Sequence, residues 1–194
     1  MVIGLTGGIG CGKSAAAACF VEHGFVHVAA DALAHRALLE PEVVKALASR
    51  WGSGCYAADG TPDRAKIARK VFSDRAELDF LESLVHPIVA RLRQRAVADR
   101  SRDYVVEIPL LFEKKLESEF DCVVCVACSD SVRLKRLAER GLTPAESEQR
   151  IKMQIPVSQK VKQSNHVLWN DGDLAFLAAQ VARLARHLAA GRAG

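Results

Sequence analysis

The chain has 194 residues, of which 49% are hydrophobic, and a formal net charge of +4. This length suits one α/β domain with room for a small inserted subdomain. No apolar run approaches the roughly 20 residues that a membrane span requires, and the charge is too small for a nucleic-acid footprint unless it is clustered. We therefore expect neither a membrane nor a nucleic acid as partner, and the mildly basic balance suits a small anionic ligand.

Six cysteines occur in a chain whose first residues show no secretion signal, so we expect reduced thiols and a cytoplasmic location. Cys122, Cys125 and Cys128 resemble the start of an iron–sulfur ligand run. They also lie in an apolar segment typical of a buried parallel strand, on which Cys122 and Cys125 would face opposite sides. We favour the strand.

Short apolar runs alternate with helical patterns, which is typical of a parallel sheet with crossover helices. Residues 2–6 predict a first strand, and residues 13–23 predict a helix that Gly24 ends. Residues 25–30 predict a second strand, closed by Asp31. Further strands are predicted at residues 104–108, 122–127 and 166–169, and a last helix at residues 174–190.

Two stretches interrupt this alternation. Residues 32–102 contain helical patterns and Gly/Pro breaks but no convincing strand, which indicates an inserted helical subdomain. Residues 133–160 are helical and basic and are broken near Gly141, which is typical of a mobile lid. We therefore expect a nucleotide-binding core of residues 1–31, 103–132 and 161–194, a helical acceptor subdomain of residues 32–102, and a lid of residues 133–160.

The strongest motif follows the first strand. Residues 7–14 read Gly-Gly-Ile-Gly-Cys-Gly-Lys-Ser and match G-x-x-x-x-G-K-[ST] in full. Glycines allow a tight turn whose N–H groups point at phosphate oxygens, and the following helix directs its positive dipole end to the same place. Lys13 supplies charge to the β and γ phosphates, and the Ser14 hydroxyl can bind Mg²⁺. The motif predicts an α/β fold of the P-loop NTPase type that binds the phosphates of a nucleoside triphosphate.

Two acidic residues follow predicted strands, where ligands bind in open α/β sheets. Asp31 could take a proton from an attacking hydroxyl, although an N-cap before the next helix is equally compatible with its position. Glu107 could hold a water on the metal or a substrate group, and a cap or an ion pair is equally compatible. Both alternatives stay open for each residue.

Histidine and arginine side chains supply further candidates. His86-Pro87 predicts a junction between two helices, where a packed or capping histidine is the default and a ligand contact the alternative. Arginines of the predicted lid could spread charge over transferring phosphates, or could form a solvated face. The basic residues considered are Arg133, Arg136, Arg140, Arg150 and Lys152, of which the first three share one helical face.

With these residues in view, the chain resembles dephospho-CoA kinases over nearly its whole length. The family's loop typically reads Leu-Thr-Gly-Gly-Ile-Gly-Ser-Gly-Lys-Ser, and residues 5–14 differ from it at Cys11. Further matching segments are residues 31–35 (Asp-Ala-Leu-Ala-His), 84–87 (Leu-Val-His-Pro), 108–113 (Ile-Pro-Leu-Leu-Phe-Glu) and 150–154 (Arg-Ile-Lys-Met-Gln), with Lys160 and Asn170 at the family's positions.

The resemblance implies that ATP with Mg²⁺ phosphorylates the ribose 3′-hydroxyl of dephospho-CoA, which is the last step of coenzyme A biosynthesis, with no obligate protein partner. It implies that Asp31 is the general base, that Lys13 and Arg140 act in catalysis, that Ser14 binds the metal, and that Asp31, His86 and Leu110 contact the acceptor. The implied ATP site comprises Gly8, Gly10, Cys11, Gly12, Lys13, Ser14, Ala15 and Arg150.

Besides Cys11, five positions depart from the family pattern. Ala29 replaces an aspartate, which predicts a less acidic pocket, and Ala15 replaces a common threonine. Glu107 stands where aspartate is more usual. Ser164 and Asn165 stand where Ala-Asp is usual, so an adenine contact there is in doubt. Another small-molecule P-loop kinase is the main alternative; a nucleotide switch would need a guanine-reading Asn-Lys-x-Asp, which the sequence lacks.

Overall fold

The computed structural model describes residues 1–57 and 60–191. The chain divides into two compact units, Met1–Val28 with Asp99–Gly194, and Ala29–Ala98. The strands are β1 (Val2–Gly7), β2 (Phe25–Ala29), β3 (Asp103–Glu107), β4 (Cys122–Ala127) and β5 (His166–Trp169). The helices are α1 (Lys13–Glu22), α2 (Ala30–Ala37), α3 (Pro41–Trp51), α4 (Arg64–Ser73), α5 (Arg75–Ala96), α6 (Asp130–Glu139), α7 (Pro144–Lys152), α8 (Val157–Gln163) and α9 (Leu174–Ala190).

The strands form one sheet in the order β2-β3-β1-β4-β5. Ile3 pairs in parallel with Val105 on one side and with Cys122 on the other, and β4 continues in parallel into β5. The predicted parallel sheet is confirmed. Because the strands run in one direction, the segments after β1, β3, β4 and β5 emerge at the same edge, which is where the glycine-rich loop lies.

The core of this unit lies where α1 and α9 cover the sheet. Alternate residues of the strands, among them Ile3, Leu5 and Val124, are fully buried in it. Ala16 and Ala17 are also fully buried, and their small side chains let α1 lie close to the sheet. That close packing fixes where α1 begins, and therefore where the loop before it must turn.

The Ala29–Ala98 unit is helical, with aspartate caps at its best-defined helix starts. Asp63 accepts a hydrogen bond from the backbone N–H of Lys66 at the start of α4, and Asp74 accepts one from Ala76 at the start of α5. Asp31, in contrast, is not an N-cap: the cap of α2 is Ala29, and Asp31 lies in the first helical turn. The N-cap alternative for Asp31 is therefore wrong.

The predicted helix junction at His86-Pro87 is also wrong. Helix α5 runs for 22 residues with Pro87 inside it. A proline there loses one backbone hydrogen bond and crowds the preceding turn. Burial of Ile88 and Leu92 on the same helix offsets that loss, so tertiary packing overrides the local signal. Across the described residues, no helix combines the length and apolar character needed to cross a membrane.

Candidate active site

The loop between β1 and α1 is shaped by glycines that no other residue could replace without strain. Gly12 adopts φ 95° as the N-cap of α1, and a Cβ there would collide with the Asn170 side chain. Gly7 adopts φ 147°, and a Cβ there would collide with the Val126 carbonyl oxygen. The backbone therefore turns tightly over the ends of β1 and β4 and leads directly into the amino end of α1.

Lys13 lies across this loop and is only 9% exposed. Its Nζ donates hydrogen bonds to the carbonyl oxygens of Gly7 at 3.2 Å and Gly8 at 3.1 Å. The ammonium is thus held beside the loop before any phosphate arrives. Together with the amino end of α1 it forms a positive site for a polyphosphate.

Three side chains from distant segments hold the loop in place. Asn170 Nδ2 donates to the Cys11 carbonyl oxygen at 2.9 Å, and Arg136 Nη1 donates to the Asn170 carbonyl oxygen at 2.9 Å. Gln154, just after α7, accepts a hydrogen bond from the Ile9 N–H at 2.9 Å. The loop is therefore fixed by Asn170 after β5 and by Gln154 after α7, which favours preorganised phosphate binding.

A chain of polar groups extends from Ser14 along the sheet edge. The Ser14 hydroxyl donates to Glu107 Oε1 at 3.0 Å, and His27 Nε2 lies 3.2 Å from Glu107 Oε2. A hydroxyl and a carboxylate at this separation are the oxygen ligands that Mg²⁺ prefers, directly or through water. Ser14 and Glu107 therefore fit the predicted metal site, and His27 orients the carboxylate.

The arginines of the predicted lid lie in different environments. Arg133 is only 12% exposed: its guanidinium bonds Asp130 at 2.6 Å, and a Cβ at Gly8 would approach its Nη1 to 3.4 Å. Arg140 is the C-cap residue that follows α6 and is exposed, as is Arg150 on α7. The structure thus brings Arg133 and Arg136 to the loop, whereas it leaves Arg140 and Arg150 on the surface. The catalytic role of Arg140 and the phosphate contact of Arg150 stay predictions.

A buried ion pair supports the segment that follows α7. Lys160 is fully buried, and its Nζ lies 2.9 Å from Glu113 Oε1 and donates to the Pro109 carbonyl oxygen at 2.6 Å. Glu113 Oε1 also accepts a hydrogen bond from the Ile155 N–H at 3.0 Å, one residue after Gln154. The pair therefore connects the turn after β3 with the segment that holds the loop.

The predicted acceptor residues lie in different environments. Asp31 and His86 belong to the helical unit, and both are exposed; the His86 ring approaches Glu82 at 4.0 Å. Leu110 belongs to the other unit and is half-buried in the turn after β3. Ala15 is half-buried in the first turn of α1. Roles for Asp31, His86 and Leu110 in acceptor binding stay predictions.

A family model described as dephospho-CoA kinase matches residues 1–175 of this chain. The chain belongs to the dephospho-CoA kinase family. Dephospho-CoA kinase of Methylococcus capsulatus is 38% identical over 190 residues, covering 96% of each chain. That of Bdellovibrio bacteriovorus is 35% identical over 191 residues, covering 96% of this chain and 95% of the relative. The predictions of a kinase, a transferase and a member of coenzyme A biosynthesis are confirmed at this level.

Solved structures confirm the predicted fold class. A crystal structure from Thermus thermophilus superposes with a TM-score of 0.81 at 38% identity, covering 96% of this chain and 97% of that one. Dephospho-CoA kinase from Campylobacter jejuni superposes with a TM-score of 0.76 at 24% identity, covering 98% of each chain, and so supports the fold alone. The architecture is a five-stranded parallel sheet of the P-loop kinase type, flanked by helices.

Ser164 and Asn165, two of the residues that depart from the family pattern, form hydrogen bonds just before β5. Asn165 accepts a hydrogen bond from the Val123 N–H at 2.7 Å, near the amino end of β4, and the Ser164 hydroxyl bonds the Lys160 carbonyl oxygen at 2.7 Å. These residues join β5 to β4 at the edge opposite the loop, so they hold the sheet together. Nothing in this geometry assigns them an adenine contact.

Two site residues escaped sequence reasoning. His27 lies in the middle of β2, where alternation alone gives no sign that its ring reaches Glu107. Asn170 was matched only by position, and its contact with Cys11 joins residues 159 apart in the chain. A polar residue between apolar neighbours of a predicted strand was the available signal for His27.

Proposed function

We propose that this chain transfers the γ-phosphoryl group of ATP to the ribose 3′-hydroxyl of dephospho-CoA, giving CoA and ADP. The observation that carries the proposal is the loop after β1, where Lys13 lies over glycine carbonyls beside the Ser14–Glu107 pair. Family membership indicates which acceptor is phosphorylated, and the geometry of the loop supports phosphoryl transfer. Such a site binds the ATP phosphates and stabilises the charge that shifts during in-line transfer.

Phosphate binding is assigned to the loop and the first turn of α1. The N–H groups of residues 8–15 and the helix dipole attract phosphate oxygens, and Lys13 adds a full positive charge. Asn170 and Gln154 keep the loop in one conformation, so little reorganisation accompanies binding. Stabilisation of the transferring group is therefore built into the fold before ATP binds.

Ser14 and Glu107 are assigned to the metal. The residues present fit Mg²⁺, which when bound neutralises charge on the β and γ oxygens. Ser14 would hold the metal through its hydroxyl, and Glu107, whose Oε1 lies 3.0 Å from that hydroxyl, would orient it or contribute a second oxygen ligand. His27 holds Glu107 in turn. Glutamate at a position where the family more often has aspartate is compatible with this role.

Acceptor activation is assigned to Asp31. Its carboxylate lies in the first turn of α2 and is exposed, which leaves it accessible to a hydroxyl that it can align and deprotonate. His86 and Leu110 are assigned to acceptor binding, and Arg140 and Arg150 to closing over the phosphates. Closure excludes water and favours transfer to the hydroxyl over hydrolysis. A cytoplasmic location suits the six free cysteines.

A coupled assay of ADP formation with a panel of acceptors tests the proposal. The reactions contain ATP and Mg²⁺ with dephospho-CoA, with a nucleoside, with a sugar acid, or with no acceptor. We expect ADP formation only in the reaction that contains dephospho-CoA, and a product phosphorylated at the 3′-oxygen. Turnover with the sugar acid or nucleoside instead would indicate another small-molecule kinase, and hydrolysis independent of any acceptor would indicate a nucleotide switch.

A further inference from the structure

The buried pair of Lys160 and Glu113 is fully supplied with partners. The Lys160 ammonium contacts three oxygens: the Pro109 carbonyl at 2.6 Å and the two Glu113 carboxylate oxygens at 2.9 and 3.2 Å. Glu113 Oε1 also accepts a hydrogen bond from the Ile155 N–H at 3.0 Å. Replacing a buried ion pair by apolar residues of similar volume is often neutral or stabilising, because two charges no longer have to be desolvated. Stability alone therefore does not account for the pair.

One side of the pair belongs to the turn after β3, where we assign an acceptor contact to Leu110. The Pro109 carbonyl oxygen accepts a hydrogen bond from the Thr6 hydroxyl at 3.3 Å as well as from Lys160, so this turn is attached to the end of β1. The Lys114 N–H donates to the Leu110 carbonyl oxygen at 3.0 Å. The turn is thus closed by its own hydrogen bond, with Glu113 inside it.

The other side of the pair leads to the phosphate loop, residues 7–14. Ile155, whose N–H is bound by Glu113, directly follows Gln154, and Gln154 Oε1 accepts a hydrogen bond from the Ile9 N–H at 2.9 Å. The N–H of Gln154 donates to the Ile151 carbonyl oxygen at the end of α7, at 3.1 Å. The Gln154 backbone is therefore fixed on both sides, which sets the place from which its side chain reaches the loop.

We propose that Glu113 and Lys160 are positioning residues that, through Gln154, hold the phosphate loop and the turn after β3 at the separation that phosphoryl transfer requires. The inference rests on the proposed function, which assigns the ATP phosphates to the loop and an acceptor contact to the turn. In-line transfer needs the attacking oxygen within about 3 to 3.5 Å of the phosphorus, and an error of about 1 Å can cost roughly a hundredfold in rate. A series of direct hydrogen bonds between loop and turn limits that error.

The chemistry of a carboxylate suits residue 113 for this role. A carboxylate has two acceptor oxygens, so Glu113 can bind the Lys160 ammonium and the Ile155 N–H at the same time. An apolar side chain at residue 113 would fill the space but would leave the Ile155 N–H without this acceptor. The segment that carries Gln154 would then be held by packing alone, and its distance from the turn after β3 would vary.

A paired replacement separates positioning from stability. Glu113→Leu combined with Lys160→Met removes both buried charges, so we expect a urea midpoint close to that of the parent chain. ATP affinity should also stay close to the parent value, because Lys13 and the loop amides remain. The alignment of loop and turn is lost, so kcat should fall by at least about tenfold. A paired variant that recovers the parent's kcat together with its stability would overturn the proposal.

Gln154→Met tests the last link with the ion pair intact. Its side chain is half-buried and similar in length to glutamine, but it offers the Ile9 N–H no carbonyl acceptor. We expect a fall in kcat similar to that of the paired replacement, and no further fall when the two are combined, because both break one series of contacts. Losses that multiply would overturn the proposal. Gln159→Met on the exposed surface of α8 is the matched control and should keep the parent's kcat.

Amide hydrogen exchange of the full chain tests the same link without an acceptor or a kinase assay. The Ile9 N–H should exchange about tenfold faster in the paired replacement and in Gln154→Met. The Ala16 N–H, bonded to the Gly12 carbonyl oxygen at 3.1 Å in α1, should keep the parent's rate. A parent chain without kinase activity would contradict the proposed function, whereas Ile9 exchange that the paired replacement leaves unchanged would overturn this inference.

Discussion

The two units hold their candidate residues in opposite ways. In the sheet unit Lys13 and Asn170 are buried, and each has fixed hydrogen-bond partners. In the helical unit Asp31 and His86 are exposed, and ion pairs of the same unit, such as Arg75 with Asp79, lie in solvent. The proposed phosphate site is therefore preorganised by packing, whereas the proposed acceptor chemistry would depend on side chains that the acceptor itself must order.

The largest effect is expected in the preorganised unit. Lys13→Ala should lower kcat/KM by about a thousandfold, because the loop loses its one buried charge for the γ-phosphate. ATP affinity should fall as well, since Lys13 acts in the ground state too. Steady-state kinetics and a binding titration check this, with Lys135→Ala on the exposed face of α6 as control. Unchanged kinetics would remove Lys13 from the site.

A second substitution tests whether the buried ion pair of Lys160 and Glu113 stabilises the fold around the loop. Lys160→Met should lower the free energy of unfolding by about 3 kcal/mol, because the Glu113 carboxylate is left buried without its partner. Urea denaturation measures it. The matched control is Lys160→Met combined with Glu113→Leu, which removes both charges and should recover most of the loss. A single variant as stable as the parent would show that the pair contributes nothing.

Asp31→Asn is the substitution that best distinguishes acceptor activation, proposed for the helical unit, from ATP binding, proposed for the sheet unit. It should lower kcat by about a hundredfold or more, because an amide cannot accept the hydroxyl proton. ATP affinity should stay unchanged, since the loop is intact. Rapid-mix transfer assays measure the loss of kcat, and ATP titration measures the affinity. Asp79→Asn in the same unit is the control. Transfer within a few-fold of the parent would defeat the base assignment.

Glu107→Gln should have a smaller effect, expressed in the metal requirement. The half-saturating Mg²⁺ concentration should rise about tenfold, because a neutral amide replaces the carboxylate beside Ser14. Magnesium titrations at saturating ATP measure it, and Glu139→Gln on α6 is the control. An unaltered magnesium curve would leave Glu107 with only a structural contact to Ser14 and His27.

The smallest effect is expected on the surface of the helical unit. Arg75 Nε lies 2.9 Å from Asp79 Oδ1, but the two side chains are 80% and 56% exposed. Solvent screens such a pair, so Arg75→Ala should change the free energy of unfolding by less than about 0.5 kcal/mol. A loss above 1 kcal/mol in thermal or urea denaturation would mean that the helical unit depends on its surface charges.

Sequence reasoning succeeded where the signal was local. The loop, the strand Cys122–Ala127 and the helix Leu174–Ala190 follow from glycine spacing and apolar periodicity. It failed where distant packing decides: α5 continues through Pro87, and Ala29 rather than Asp31 caps α2. The contact of Gln154 with Ile9 spans 145 residues, and no local pattern encodes such a pair.

Binding of ATP with Mg²⁺ in the absence of acceptor tests the central claim most directly, because the loop is proposed to be complete before dephospho-CoA arrives. Isothermal titration of the reduced chain should show one saturable site, which Lys13→Ala weakens and Asp31→Asn leaves unchanged. A chain that binds no ATP until dephospho-CoA is added, or binds it equally well without Lys13, would contradict the account.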